Sequence, residues 1–561
     1  MLTESTRATR YIFLTLLFLA SVIALSPGIG EITGITAKDE YHLALRIPLS
    51  MMEQNEWIVP HLDGVPRVKK PPMINWLTRA SFEIFGVSLT SARMVNVLFA
   101  ALFVLVVALI GFEYTGDLRY GLSAGLITLS TIGLAILSKF LLLDVPTAAF
   151  GALAFYWFQK WCKTLQRSYL AGIAVSLSAG FLTKGPVVLV IFGSGVVALL
   201  VTNRVIRSRV WESKGALLGS LLLFLGLTAP WFVYVYFLYP DYSFSILQRE
   251  VAARNIGNFS VIPVIGAALV AFPWTFVLIN VLISPRSFPS NLPEARDRKV
   301  MLIIWLGLSI VPFILIKTFE RYVIGSLIPI ALLCASAIET GDKRAVQFPA
   351  RLGMIVTCFL VLFSAAFAVW FKTSGSEVFI VLLVLGIFGF VWWQGANAFP
   401  MALSATVLWM ALIGFLYPTL GINAIPSRIF DEVEGRRVIL YRDQQPSLLP
   451  IKMGRSLKVT GVLTQADFAS EDGRTPLIFA KEGDAADLED KLKGLGVDFE
   501  RVDSYKTLSS RVAWIRFARK GATLNDWILA VRNRSLDPIK QTIVLYDVKP
   551  PARSQAAIAA K

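Results

Sequence analysis

Apolar stretches of roughly 17 to 25 residues, the length that crosses the hydrocarbon core of a bilayer, recur from Tyr11 almost to Tyr417. Thirteen can be separated, from Tyr11–Gly30 at the start to Ala402–Tyr417 at the end. After Pro426 the pattern changes: charges become frequent and apolar runs short. Strand-like pieces, Val438 to Tyr441 and Ile478 to Ala480, alternate there with a helical stretch around Ala485 to Leu495. The pattern predicts an all-α membrane domain over residues 1–425 with about thirteen transmembrane helices, followed by a soluble α/β domain over 426–561. Residues 31–91, between the first two spans, form a long loop with an amphipathic run from His42 to Met52 that can lie in the membrane interface.

Composition agrees with the membrane reading. The chain is 55% hydrophobic and 16% charged, where soluble domains are about a quarter charged. A formal net charge of +16 raises the question of nucleic acid. The basic residues are spread by topology rather than gathered in one patch, which argues against it. Lys160, Lys163 and Arg167 fall in one loop, Arg204, Arg207, Arg209 and Lys214 in the next but one, then Arg286, Arg296, Arg298 and Lys299, then Lys343, Arg344 and Arg351. Cytoplasmic loops are enriched in Lys and Arg, so the alternation starts the chain inside. Thirteen crossings then leave the C-terminal domain outside, in the periplasm of a didermal bacterium. Arg7 and Arg10 precede the first apolar run without a clean cleavage pattern, so it reads as a retained helix. The three cysteines lie in or beside apolar segments and outline neither a disulfide framework nor a metal motif.

The ionisable residues on the outer side carry the chemistry. The first loop holds Lys38-Asp39-Glu40-Tyr41, both histidines of the chain (His42 and His61), and Lys69-Lys70-Pro71-Pro72. Later helix ends on the same side hold Asp144, Lys184, the stretch Arg249-Glu250 to Arg254, Lys317 and Glu320-Arg321-Tyr322. Taken singly, a lysine or arginine at a helix end snorkels to the headgroups as often as it serves a site. Asp39-Glu40 alone reads equally as a solvated pair, and the histidines lack a third ligand at metal spacing. Acids and bases converging on one membrane face instead fit a site that binds an anionic lipid headgroup. There Lys and Arg recognise phosphate and a carboxylate acts as base or orients a nucleophile.

The order Asp-Glu, amphipathic run, Trp-x-Val-Pro, Gly-x-Pro, Lys-Pro-Pro and Trp, then Leu-Asp-x-Pro and Leu-Thr-Lys-Gly-Pro, resembles the bacterial GT-C glycosyltransferases of the aminoarabinose transferase type, relatives of protein O-mannosyltransferases. The motifs run from Tyr11 to Pro329, and the layout extends to the C-terminal domain. The resemblance implies transfer of a sugar from a polyprenyl (undecaprenyl) phosphate donor to a lipid A-type glycolipid acceptor at the outer face of the inner membrane. It implies Asp39 as the catalytic carboxylate with Glu40 beside it. Lys70, Lys184 and Arg321 are the expected donor-phosphate ligands, and His42, Lys69, Asp144, Tyr322 and Glu250 the expected substrate contacts. The family tends to read Asp-Glu-x-Arg-Tyr where this chain has His42 and Leu43, and Glu where it has Lys69. That charge reversal leaves the sugar open.

With a hydroxyl acceptor, Asp39 would take its proton in a single inverting displacement. With a phosphate acceptor no base is needed, and Asp39 would position it. No metal or other cofactor is required, although Glu40 with His42 offers weak divalent binding. The expected partners are the lipid-linked donor, the glycolipid acceptor and membrane lipids, with no nucleic acid, for a monomer. A protein O-mannosyltransferase-like enzyme, or one acting on another glycolipid or polysaccharide, is the nearest alternative. A lipid-linked substrate transporter would show internal repeats with broken mid-span helices, and none is visible. A structural scaffold leaves the first-loop carboxylates without a purpose.

Overall fold

The computed structural model describes residues 7–549 apart from 37–39, 41–44, 63, 254–256, 258, 285–292, 317, 341, 374, 376, 395–396, 443–448, 469–475 and 510–517. Up to residue 420 the described chain is mostly helical. Six helical stretches are long and apolar enough to cross a membrane: Arg7–Leu25, Leu89–Thr115, Lys214–Leu238, Glu320–Glu339, Lys343–Phe371 and Ala398–Leu420. Two bent pairs, Val187–Thr202 with Arg204–Glu212 and Ile262–Val270 with Thr275–Ile283, turn by 112° and 115° and raise the count to eight. This is fewer than the thirteen expected, and local chemistry accounts for part of the difference. The span expected over Gly121–Phe140 is broken. Its helix stops at Leu129, and Thr131, whose hydroxyl accepts from the Leu134 amide, caps a separate helix, Ile132–Leu137. Short hydroxyl side chains compete for backbone groups in this way.

Four tryptophans, Trp161, Trp274, Trp305 and Trp409, are buried in the bundle core. Two of them meet at the same break: Trp274 Nε1 donates to Ser130 Oγ (2.8 Å) and Trp409 Nε1 to the Ser130 carbonyl (3.0 Å). A buried indole gains from such a partner, so the interruption at Ser130 is tied to core packing.

Two helices set the polarity of the bundle. Helix Asp144–Thr164 has Asp144 at its start and Lys160 and Lys163 at its end; helix Arg167–Lys184 runs back from Arg167 to Lys184. At 1.5 Å per residue, helices of this length separate their ends by about 30 Å. Asp144 and Lys184 therefore lie one membrane thickness from the basic loops. At the basic end, Lys160 and Lys163 pair with Glu113 (3.2 and 2.9 Å), and Arg209 donates to the Cys162 carbonyl.

The first loop adds helices Arg46–Glu53 and Met73–Phe85 and a short hairpin, β1 (His61–Leu62) with β2 (Val65–Pro66). The C-terminal region forms a five-stranded mixed sheet from β3 (Val438–Tyr441), β4 (Lys458–Thr460), β5 (Leu477–Lys481), β6 (Asp498–Thr507) and β7 (Gln541–Lys549), in the order β4-β3-β5-β7-β6. β3 pairs in parallel with β4 and β5, whereas β7 runs antiparallel between β5 and β6. The central strands are apolar on both faces; Ile478 and Val544 pack on the helix Ala485–Gly494, while Leu477 and Leu545 pack on the side of Ile429 and Leu449. The C-terminal region is tied to the rest of the chain through Arg46, whose Nη2 donates to the Leu457 carbonyl just before β4 (2.7 Å), and through Trp370, whose Nε1 donates to the Val531 carbonyl of the helix Leu524–Asn533 (3.0 Å).

Candidate active site

The segment Leu141 to Asp144 joins the pieces singled out in the sequence. The Leu141 amide donates to Glu40 Oε1 (2.9 Å). Leu143 lines a cavity of about 20 Å³ together with Ile47, Lys69 and Lys70. Asp144, 5% exposed, takes a bond from Lys184 Nζ on one oxygen and faces Arg321 Nε at 3.5 Å on the other.

Local sequence explains the placement of each group. Asp144 opens its helix, where a carboxylate suits the positive end of the helix dipole, and Lys184 closes its own, where a cation suits the negative end. In Lys184-Gly185-Pro186 the lysine ends one helix, Gly185 makes the turn at φ 67°, and Pro186 starts the next. Arg321 and Tyr322 sit on a 3-10 turn, Glu320–Ser326, just before the helix Leu327–Thr340. Gly266 presses on that turn so closely that a Cβ would lie 2.8 Å from the Glu320 carbonyl oxygen. Lys184 Nζ lies 3.6 Å from the Tyr322 ring centroid, a cation–π contact, and Phe313 and Phe319 hold the ring edge-on. Lys184 and Arg321 thus both face one buried carboxylate, with all three side chains largely withdrawn from water. Such a cluster attracts a phosphate, and Asp144 fixes where the cations point.

Glu40 is fully buried and its oxygens are occupied. Arg93 makes a two-pronged pair with it, Nε to Oε1 at 2.8 Å and Nη2 to Oε2 at 3.1 Å, and Thr36 Oγ1 donates to Oε2 at 2.7 Å. Arg93 also donates to the carbonyls of Ile29 (3.0 Å) and Glu31 (3.2 Å). The carboxylate therefore anchors the first loop to the helix Leu89–Thr115 and to Leu141. Asp39 and His42 lie outside the described residues, as does the side chain of Glu250, although its backbone lies in the helix Pro240–Ala253. Lys70 is half-buried at the small cavity and Lys69 is exposed. The cavity holds about one water and would have to widen to admit a sugar phosphate. His61 is committed to hydrogen bonds with the Val59 carbonyl (2.9 Å) and the Tyr239 hydroxyl (3.2 Å). Among the described residues no three His, Cys, Asp or Glu side chains gather as a metal site.

Sequence reasoning missed Arg93, Lys139 and Arg46. Arg93 and Lys139 are charges inside or beside apolar stretches, and that is the signal that could have found them. Lys139 is buried, and its Nζ donates to the carbonyls of Leu25 and Pro27 (both 2.8 Å).

An apolar helical bundle with cations and a carboxylate gathered at the mouths of its helices, under a folded first loop, has the make-up of a membrane glycosyltransferase of the GT-C kind. Comparison with known proteins sharpens that class. The family described as dolichyl-phosphate-mannose-protein mannosyltransferase matches residues 69–234. The undecaprenyl phosphate-alpha-4-amino-4-deoxy-L-arabinose arabinosyl transferase of Pseudomonas aeruginosa strain UCBPP-PA14 is 25% identical over 441 residues, 73% of this chain and 78% of the relative. The corresponding enzyme of Pectobacterium carotovorum is 25% identical over 428 residues, 72% of this chain and 74% of its own. In fold, the chain is similar to the crystal structure of ArnT from Cupriavidus metallidurans bound to undecaprenyl phosphate, with a TM-score of 0.65 at 16% identity over 96% of this chain and 98% of that one. The chain thus resembles the aminoarabinose transferases in both sequence and fold.

Proposed function

We propose that the protein is a glycosyltransferase that moves a sugar from an undecaprenyl-phosphate-type donor to a glycolipid acceptor at the extracytoplasmic face of a bacterial inner membrane. The observation that carries the reading is the convergence on Leu141 to Asp144, where Glu40, the Lys69–Lys70 cavity, Lys184 and Arg321 all meet one segment. The donor phosphate is the leaving group, and its departure is eased by cations already aimed at it. Lys184 and Arg321, oriented by Asp144, hold the phosphate; Lys70 joins them as the cavity beside Leu143 opens. Tyr322 backs Lys184 and closes one wall.

Asp39 is the catalytic carboxylate in this reading. A hydroxyl acceptor would pass its proton to Asp39 as it attacks the anomeric carbon, the carbon–phosphate oxygen bond breaking as the new bond forms, with inversion. Glu40, saturated by Arg93, Thr36 and Leu141, is a positioning residue for the loop that carries Asp39. His42, Lys69 and Glu250 are assigned to the sugar or acceptor. The chain is read as thirteen crossings, some made by helices such as Asp144–Thr164 and Arg167–Lys184, with the C-terminal sheet outside and the protein acting as a monomer without a bound metal. The relatives' names support undecaprenyl phosphate as the carrier; His42, Leu43 and Lys69 keep the sugar open.

The test is transfer by the purified protein from a panel of undecaprenyl-phosphate sugars to lipid A. One sugar should give product, and Asp39→Asn should abolish product while undecaprenyl phosphate still binds. Transfer at the parental rate by the Asn variant would remove Asp39 from its role, and no transfer from any donor would reject the reading.

A further inference from the structure

Away from the cluster at Asp144, a cleft of about 400 Å³ opens between the first-loop helix Arg46–Glu53 and the β3–β4 side of the C-terminal sheet. That volume lies in the range of small-ligand sites. Ser50 and Gln54 line one wall; Arg437, Arg455, Ser456 and Lys458 line the other. Among the described residues its lining carries three cations and no carboxylate. Lys458 bonds to Asp467, which also faces Arg437 Nη2 at 4.0 Å and accepts from the Thr464 amide (2.8 Å) and hydroxyl (2.9 Å). Glu53 is committed to the amide and hydroxyl of Ser456. Among the described residues Asp467 therefore serves two of the three cations, and the third, Arg455, donates to the Arg436 carbonyl and is near Glu53. Burial lowers the Arg455 pKa, with Glu53 acting in the opposite sense; a guanidinium partly withdrawn from water gains strongly from an anion.

The cleft is also rigidly built and well placed. Arg46 and Glu53, two turns apart on one helix, clamp consecutive residues of the opposite wall: Arg46 Nη2 holds the Leu457 carbonyl (2.7 Å) and Glu53 the Ser456 amide (2.7 Å). Ile47, Ser50 and Gln54 stand at i, i+3 and i+7 on a single helix face. Ile47 lines the Lys69–Lys70 cavity, whereas Ser50 and Gln54 line the cleft. Ile47 at the cavity and Ser50 at the cleft are thus about one helical turn, ~5 Å, apart along the helix axis.

We propose that Arg437, Arg455 and Lys458, facing Ser50 and Gln54, form a phosphate subsite that holds the phosphorylated headgroup of the acceptor glycolipid. The arginine forks match phosphate oxygens two at a time and the lysine adds a point charge, while the serine and glutamine supply neutral donors. This rests on the glycosyltransferase reading and makes the C-terminal sheet the element that presents the acceptor to the first loop.

The experiment measures binding by the full-length protein in neutral-lipid nanodiscs, using a bis-phosphorylated acylated glucosamine disaccharide, the same disaccharide without phosphates, and undecaprenyl phosphate. The Arg437→Gln/Arg455→Gln variant should lose about tenfold or more in affinity for the phosphorylated probe. Its affinity for the other two should be unchanged, and Arg437→Lys should retain most of the binding. Independently of any variant, parental binding of the phosphorylated probe should weaken as salt rises. Equal affinity of parent and variant for the phosphorylated probe, salt-independent binding, or equally tight binding of phosphatidylglycerol or inorganic phosphate would overturn the assignment. Binding needs no turnover, which separates the two readings. Arg437-dependent binding without sugar transfer leaves the subsite standing and removes the transferase reading; transfer with an unchanged acceptor KM in the variant does the reverse.

Discussion

Two buried ion pairs with different roles govern this protein at the scale of single residues. Glu40 and Arg93 are both wholly buried and satisfy one another through two bonds, with Thr36, Leu141 and two carbonyls taking up the remaining capacity. Removing one partner strands the other charge, which typically costs about 3–5 kcal/mol. Arg93→Ala should therefore lower the thermal unfolding midpoint of the detergent-purified protein well beyond the effect of substituting an exposed arginine such as Arg204; equal midpoints would show the pair to be dispensable. Lys184 is different, because Asp144 keeps Arg321 when the lysine is removed. Lys184→Ala should leave the protein folded and raise the apparent donor KM about tenfold or more, a loss of the size that a charged hydrogen bond supplies. An unchanged donor KM would take the lysine out of the phosphate site. The legibility of these residues from sequence divides the same way. Asp144, Lys184, Arg321 and Tyr322 were marked by short motifs and meet in space. Arg93 carries no motif, and its link to Glu40 across more than fifty residues exists only after folding.

Among elements, the 3-10 turn Glu320–Ser326 is the part on which the site depends most, since it carries both Arg321 and Tyr322. It is held by backbone contact: Gly266 lies against Glu320, with a would-be Cβ 2.8 Å from the carbonyl oxygen and 2.9 Å from Cα. Backbone atoms cannot swing away as a flexible side chain can. Gly266→Ala should shift the turn, draw Arg321 from Asp144 and reduce transfer, with the oligomeric profile and helical content preserved. Full activity in that variant would mean the turn has slack that the packing does not suggest. Nothing in the sequence marks Gly266, because it sits in an ordinary helix and its importance lies in what packs on it. Helix breaks were similarly hard to read: hydropathy runs through Ser130 and Thr131 without interruption, yet their hydroxyls and two buried indoles end a helix there. In the C-terminal sheet, the apolar β3 and β5 were visible as short strand-like runs, while β6, with charges along its exposed positions, gave no alternation to find.

The whole molecule is polarised. Helices Asp144–Thr164 and Arg167–Lys184 put the candidate site at one end and the basic loops at the other, and the first loop joins the site end to the C-terminal sheet. Sidedness is therefore a property of the entire chain, and it can be checked at two exposed points. With a membrane-impermeant maleimide applied to cells whose outer membrane alone is opened, Lys493→Cys should label and Ser208→Cys should not; the opposite pattern would invert the orientation. The strand order of the sheet carries one more consequence. β7, the last strand among the described residues, lies between β5 and β6 and is the partner that joins β6 to the other strands. A ribosome delivers β3 through β6 before residue 541 exists, so the sheet cannot close until β7 has been synthesised. During that interval the edge of β5 stands open, and a premature stop before residue 541 would leave it so permanently, a ready template for aggregation and a target for proteases.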